Sequence, residues 1–318
     1  EQGLWRPKNY GDRFYGPSTL RLGMEKSRNL MTVRLAQDVG MPIIRELQKQ
    51  GAEVLLASDG RAYQLLQQEF PKLPLFRLPA YNIRYPYHSM VASMAVQLPK
   101  ILRTMLLERR MTEQLVQRHG IDAVFSDNRY GCYSRRVPSV FMTHQLHIRI
   151  GIPLLEWLVQ QGNHGWIKMF FDECWIPDVA GTPNLAGDLA HGHHLPRTHY
   201  IGVLSRLQKL DVPQRYDVVA VLSGPEPQRT LLEEKILVQA QHSDLRVLIV
   251  GGRPEEKQHR WLSPKVEYRS FLPAQALNEA MAAAKVILSR SGYSTVMDLA
   301  KLGKRAVLIP TPGQTEQE

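Results

Sequence analysis

Cysteine is nearly absent. The 318 residues contain only Cys132 and Cys174, which excludes a disulfide-stapled scaffold and a cysteine-rich metal cluster and fits a reducing compartment. No uninterrupted apolar run approaches the ~20 residues needed to span a bilayer. No Asp-x-Asp pair stands in the chain to hold a metal-bound diphosphate, so no metal and no other cofactor is expected. The start, "EQGLWRPKNYGDRF", has neither an initiator Met nor the basic-then-apolar layout of a signal peptide, and it reads as a cut end. Cytoplasmic location is the expectation that these absences leave.

What is present suits a globular protein of two ordinary domains: 43% of the residues are hydrophobic and 22% charged. The net charge of +10 invites a nucleic-acid reading. The basic residues are scattered, however, and no recognition helix, zinc finger or aromatic RNA-binding signature accompanies them, so nucleic acid is not the expected partner. A basic surface serves a nucleotide diphosphate or acidic lipid head groups equally well.

From Pro42 onward apolar strands alternate with amphipathic helices, the pattern of parallel sheets covered by helices. Strands are expected at "EVLLAS" (53–58), "DAVFSD" (122–127), "PSVFMTH" (138–144), "YDVVAVLSG" (216–224), "LRVLIVGG" (245–252), "KVILSRSG" (285–292) and "RAVLIPTP" (305–312). Helices are expected at 229–241, 274–284 and 293–303. In "DVGMPIIRELQKQGAEVLLASDG" (38–60), Pro42 suits a first helical turn and Gly51 a helix end, giving the second half of a β-α-β unit. The first half is missing: "STLRLGMEKSRNLMTVRLAQ" (18–37) looks helical. The region 183–215, rich in Gly, Pro and His, reads as an interdomain connection. Its His191, His193, His194 and His199 lack Cys or acids at coordinating spacing and read as linker, not as a metal site. "HSMVASMAVQLPKILRTMLLERRMTEQLVQRHG" (88–120) reads as core helices broken at Pro99, with a basic amphipathic membrane-contact helix as the alternative.

In open α/β folds ligands sit at the carboxyl ends of the strands. "VLSGPEPQRTLLEEK" turns through Ser223 and Gly224 into a helix whose free N–H groups could hold a phosphate. In "SRSGYSTVMDLAKLGKRAVLIPTPGQTEQE", Ser294 or Thr295 is placed to cap a helix and Asp298 lies about one turn inside it. An acid there can reach a ribose hydroxyl pair while the helix N-terminus faces a diphosphate. Gln317 and Glu318 are further acceptors for sugar hydroxyls.

This constellation resembles the nucleotide-sugar-binding domain of the glycosyltransferases related to the enzyme that adds N-acetylglucosamine to undecaprenyl-linked muramyl-pentapeptide. Arg290, Gly292, Thr295, Asp298, Pro310 and Gln317 match the family pattern, with Asp in place of the commoner Glu and Glu318 where a second Gln is frequent. The resemblance implies two Rossmann-like parallel-sheet domains (GT-B type) and a UDP-sugar donor with Asp298 on the ribose and Gln317 on the sugar. It also implies that Phe271 and Leu272 flank the uracil. "DNRYG" (127–131) and "THQLHI" (143–148) follow apolar strands in the first half, and with "LASDG", "YNIRYP", "PNLAGDLAHG" and "YIGVLSR" they look like a bacterial branch of two-Rossmann glycosyltransferases. His144, with Asp127 and Asn128 as polar neighbours, is the cleft candidate there for acceptor deprotonation.

The first forty residues look different. The Trp-x-Pro-x-Asn-Tyr entry, "FYGPSTLR" and "KSRN" resemble the transpeptidase domain of class A penicillin-binding proteins, with Ser27-Arg28-Asn29 as its Ser-x-Asn motif. The family's Ser-x-x-Lys and Lys-Thr-Gly are absent, so Ser27 and Asn29 are expected to serve only as helix caps. The two resemblances meet at "MPIIRE", which suggests a chimera joined near Pro42, and "PGQTEQE" stops in mid-motif. A single long read of the genomic DNA across codons 30 to 50 tests for an assembly artefact.

The expected organisation is therefore a penicillin-binding-protein-like fragment (1–41), an acceptor-side domain lacking its first strand (42–205) and a truncated nucleotide-sugar domain (206–318). The expected function is inverting transfer from a UDP-sugar to a hydroxyl acceptor, with lipid-linked acceptors and peripheral contact at the inner face of the cytoplasmic membrane open. A family histidine would fall near Ala36, so weak or absent activity is expected. The alternatives are a non-catalytic nucleotide-sugar-binding module and a transpeptidase fragment.

Overall fold

The computed structural model describes residues 29–33, 41–81, 90–148, 152–192, 195–224 and 226–311, with side chains at 29–33, 61 and 90–95 outside the description. The described chain divides into two compact units between Gly202 and Val203.

The first unit is built on a sheet of seven parallel strands in the order β3-β2-β1-β4-β5-β6-β7. These are β1 (Asn29–Val33), β2 (Glu53–Ser58), β3 (Leu75–Arg77), β4 (Ala123–Asp127), β5 (Ser139–Met142), β6 (Glu173–Ile176) and β7 (Thr198–Tyr200). Helices α1 (Met41–Lys49), α2 (Gly60–Glu69), α3 (Met90–His119) and α4 (Pro153–Phe170) connect them. Met41, Ile44 and Leu47 of α1 are buried, and Gly51 closes the helix in the left-handed region at φ 77°. One core layer joins Leu55, Ala57 and Val124 of the sheet to Leu115 and Val116 of α3.

The strand expected to be missing is present. Residues Asn29–Val33, "NLMTV", lie in the middle of the sheet, with Met31 opposite Leu55 on one side and Val124 on the other. Reading 18–37 as helical is corrected there, and so is the capping role for Asn29, which opens a strand; Ser27 and Ala36 lie outside the described residues. The physical reason is the slot between β2 and β4. Two buried strand edges left open would each carry unpaired N–H and C=O groups, and that demand outweighs a weak local helix preference.

Two further expectations are corrected. Helix α3 runs unbroken through Pro99, which sits on its solvent-facing side, where water can replace the hydrogen bond that proline removes. The helix is core on one side only: Glu108, Thr112, Leu115 and Val116 are buried, while Val96 is 82% exposed and Leu98, Leu102 and Leu106 also face solvent. At the start of α4, Leu154, Trp157 and Leu158 are exposed as well. The stretch 183–215 is not a featureless connection, since it contains a 3₁₀ turn (Gly187–Leu189) and β7.

The second unit holds six strands in the order β10-β11-β9-β8-β12-β13, parallel except for β10. They are β8 (Tyr216–Val221), β9 (Val247–Val250), β10 (His259–Ser263), β11 (Val266–Arg269), β12 (Ala284–Arg290) and β13 (Ala306–Ile309). Helix α5 (Gln228–Gln241) packs Leu232, Ile236 and Ala240 on one sheet face. Helices α6 (Ala274–Ala282) and α7 (Tyr293–Leu302) pack Leu277, Met281, Leu299 and Leu302 on the other. Strands buried on both faces explain the unbroken apolar runs of β8, β9 and β12.

Candidate functional site

In the second unit, β8 leads through α5 to β9 on one side, while the chain returns through α6 to β12 on the other side of β8. The strand order therefore reverses between β8 and β12, and a crevice outside their carboxyl ends is the expected ligand position. Ser223 and Gly224 follow β8; Gly224 has φ 105°, a conformation that needs glycine. A Cβ on Gly252, after β9, would stand 2.2 Å from the Leu222 carbonyl oxygen, so the two loops touch through bare backbone. Gly292 precedes α7 and serves as its N-cap residue. Ser294 and Thr295 fall inside the first turn and make no side-chain cap, which corrects their expected capping role.

Asp298 is buried on α7, and the Ser205 hydroxyl donates a short hydrogen bond to its Oδ1. Ser205 Oγ also accepts the Leu207 amide at 3.0 Å. Arg290 is buried and committed to backbone: its guanidinium donates to the carbonyls of Pro310 at 2.7 Å and Gln228 at 2.9 Å, which straps the ends of β12, β13 and α5 together. Phe271 and Leu272 follow β11 half-buried, with Leu272 against the core under α6 and α7. Gln317 and Glu318 lie outside the described residues. A cavity of about 740 Å³ lies beneath α5; its walls are mostly apolar, with Leu232, Ile236 and Leu288 among them, and Lys235, Gln239 and Arg290 are among its polar lining.

A charged network behind the β8 loop had no mark in the sequence. Arg229, buried in the first turn of α5, donates to Glu226 at 2.8 Å, Glu233 at 2.7 Å and the Gly251 carbonyl at 3.0 Å. Arg253 and the Tyr268 hydroxyl each donate to Glu233 at 2.6 Å. Burial, then Glu233, pushes the Tyr268 phenol up to about 12, so it stays a donor.

In the first unit the loops after β2, β3 and β4 converge on Arg129, which is fully buried. Its guanidinium donates to Glu108 of α3, to Asp59 after β2 at 2.7 Å and to the Pro79 carbonyl after β3. Tyr81 donates to Glu108 and lies under the guanidinium, 5.2 Å from ring centroid to the Arg129 Cζ. Burial opposes the charge on Arg129, but Glu108 and Asp59 outweigh it and hold the group ionised. Asn128, with φ 53°, accepts from Thr143 Oγ1 at 3.5 Å, which joins the "DNRYG" and "THQLHI" loops. Asp127 ends β4 and His144 follows β5, half-buried. Burial pulls the His144 imidazole down to about 4, so it is neutral at pH 7.

After β6, Asp178 is fully buried and accepts the amides of Val179 at 2.8 Å, Leu185 at 3.1 Å and Ala186 at 2.8 Å. His191 Nε2 lies 3.1 Å from its Oδ2. Burial pushes this carboxyl up, but the Ala186 amide, His191 and the other amides outweigh it and hold the carboxyl below the usual range. His191 thus belongs to an ordered loop, which corrects its reading as linker; His193 and His194 lie outside the described residues. Among the described residues no group of three or more His, Cys, Asp or Glu is placed to hold a metal ion, and no helix is long and apolar enough to cross a membrane.

Residues 219–318 match the Glycosyltransferase family 28 C-terminal domain. A stretch of 84 residues is 38% identical to the UDP-N-acetylglucosamine--N-acetylmuramyl-(pentapeptide) pyrophosphoryl-undecaprenol N-acetylglucosamine transferase of Methylorubrum populi, covering 24% of this chain and 22% of that protein. Another similarity, 58% identity over 45 residues, is to penicillin-binding protein 1A of Rickettsia bellii; it covers 14% of this chain and 6% of that protein. The chain therefore spans only a small part of the curated relatives it matches. In three dimensions it is similar to the glycotransferase of kitacinnamycin, with a TM-score of 0.58 and 17% identity over 92% of this chain and 81% of that one. The fold is the two-unit, parallel-sheet GT-B type.

Proposed function

We propose that the chain transfers a sugar from a nucleotide-diphosphate donor, with UDP as the nucleotide, to a hydroxyl acceptor, inverting the anomeric carbon. The observation that carries this reading is Asp298, a buried carboxylate on the helix that opens at the β8–β12 crevice, within the segment that matches the family 28 domain. The backbone amides at Ser223, Gly224, Gly292, Ser294 and Thr295 would face the diphosphate. Asp298 would take the ribose hydroxyls in exchange for Ser205, Phe271 and Leu272 would flank the uracil, and Gln317 and Glu318 would take the sugar. Arg290 would act by strapping this crevice together.

In the reaction the acceptor oxygen attacks the anomeric carbon, its proton passes to a base, and the bond to the diphosphate breaks with the electron pair leaving on the nucleotide. Amides and helix dipoles aimed at that leaving group stabilise its charge, and no metal is required on this reading. His144 and Asp127 stand on the acceptor side. The exposed apolar side chains of α3, interleaved with exposed Lys100, Arg103 and Arg110, favour contact with an anionic bilayer at the inner face of the cytoplasmic membrane and a lipid-linked acceptor.

Calorimetric titration with UDP, followed by an assay of UDP release from UDP-sugars, tests the reading. Binding with turnover supports it; heat without turnover makes the protein a binding module. Asp298→Ala is expected to weaken UDP at least about tenfold, the scale of a charge-assisted hydrogen bond, and unchanged affinity removes Asp298 from the donor site.

A further inference from the structure

Asp298 already carries a hydroxyl on its Oδ1, that of Ser205. The two residues stand 93 positions apart, and both belong to the second unit. Ser205 is firmly seated. Its Oγ accepts the Leu207 amide at 3.0 Å, Leu207 is fully buried in the core under α6 and α7, and the Gln208 amide donates to Asn278 Oδ1 of α6 at 3.1 Å. A serine hydroxyl offers one proton and two lone pairs. With a lone pair on the Leu207 amide, the proton is directed at the Asp298 carboxylate, a stronger acceptor than the Leu207 carbonyl 3.5 Å away.

On the glycosyl-transfer reading, on which this inference rests, Asp298 takes the two hydroxyls of a ribose. The residue is only 7% exposed, so water has little access to a carboxylate oxygen that loses its donor. A buried group that bonds a ligand hydroxyl ordinarily rejects the analogue lacking that hydroxyl, because the group is then left unpaired. Ser205 removes this penalty. When a ribose arrives, one of its hydroxyls replaces Ser205 on Oδ1, and the serine proton turns to the Leu207 carbonyl. When a 2′-deoxyribose arrives, its single hydroxyl bonds the carboxylate and Ser205 stays as the second donor. Serine and sugar together then supply the carboxylate with two hydroxyls in either complex.

We propose that Ser205 is a specificity-determining residue of the donor site: it stands in for a ribose hydroxyl, so that 2′-deoxyribonucleoside diphosphates bind nearly as well as ribonucleoside diphosphates. The donor class thereby extends to sugars carried on a 2′-deoxynucleotide.

The test is calorimetric titration of the full chain, Ser205→Ala and Asp298→Ala with UDP and with 2′-deoxyuridine diphosphate. The parent should bind the two nucleotides within about threefold of each other, since one hydroxyl donor replaces another. Ser205→Ala should bind UDP more tightly, because the ribose now relieves an unpaired oxygen, and should bind the deoxynucleotide as the parent does. The ratio of the two Kd values should rise at least about tenfold, the scale of one buried unpaired acceptor. General damage to the segment around Ser205 would weaken both nucleotides alike and leave this ratio unmoved. Asp298→Ala should weaken UDP and bind the two nucleotides equally.

A parent that prefers UDP by about tenfold or more, or a ratio that Ser205→Ala leaves unchanged, overturns the proposal; the donor reading stands in either case as long as Asp298→Ala weakens UDP. If Asp298→Ala leaves UDP affinity unchanged, Asp298 does not hold the ribose, and the proposal falls together with that assignment.

Discussion

The central strands of the two units occupy equivalent places and come from sequences of unequal legibility. β8 and β12, "YDVVAV" and "AKVILSR", are apolar runs that announce themselves, and they lie within or beside the segment that matches the family 28 domain. β1, "NLMTV", belongs to the stretch resembling a transpeptidase, yet it pairs on both sides in the first sheet. A parallel slot between two strands selects on backbone pairing and modest apolar bulk, so a short segment with no strong strand signature can fill it.

Proline in each central strand puts that comparison under the heaviest load. Val219→Pro in β8 and Met31→Pro in β1 each remove a ladder donor with neighbours on both sides, and each should cost more than about 3 kcal/mol. Loss of the cooperative urea transition of the corresponding unit, followed by hydrogen exchange, is the expected result. If Met31→Pro leaves the first unit's amide protection intact while Val219→Pro abolishes the second's, β1 is not the strand that completes the sheet.

The buried arginines sharpen the contrast. Arg129 and its partner Glu108 are both fully buried, so Arg129→Met removes the cation that faces a buried carboxylate and should destabilise by about 3–5 kcal/mol. Arg229 differs, because Glu226 is 39% exposed and Arg253 remains on Glu233. Arg229→Met should therefore cost less, about 1–3 kcal/mol. Equal losses in chemical denaturation would show that the two networks are equally sealed.

The smallest expected effect concerns acid. His144 is held near 4 by burial, below the ~6.5 of an unfolded histidine, so between those values the unfolded chain binds the extra proton. Its contribution to stability is complete above that unfolded value and is lost as pH falls toward 4. His144→Gln should flatten the pH dependence of urea unfolding across this window, and an unchanged slope would mean that the imidazole is hydrated. Asp178, held low, acts in a separate window: its contribution is present above the unfolded carboxyl value of ~3.9 and is lost below it.

Much of the fold was legible because strands buried on both faces must be apolar. β2, β4, β5, β8, β9, β12 and β13 fall where the runs of Val, Ile and Leu lie, with ends shifted by a few residues. The short strands β3, β6 and β7 have too few residues to show a period, and "ECWI" and "THY" carry no clear run. At the candidate site, the loop positions of Ser223, Gly224, Gly292 and Asp298 were readable from strand-turn-helix order. The commitment of Arg290 to two carbonyls, and the hold of Ser205 on Asp298 across 93 positions of chain, were not.

By itself, then, the sequence determined the class of the fold, the separation into two α/β halves and the loops that carry polar groups. Periodicity and turn chemistry are local and survive any arrangement in space. Only the tertiary structure decided that "NLMTV" enters the first sheet, that α3 passes through Pro99 with an apolar face outward, and that His191 meets the buried Asp178. Each of these depends on a partner distant along the chain: an open pair of strand edges, solvent on one side of a helix, and Asp178 thirteen residues before His191 with its amides already in place. Pairing of that kind follows from burial, where an unmatched polar group is expensive, and burial is a property of the folded chain.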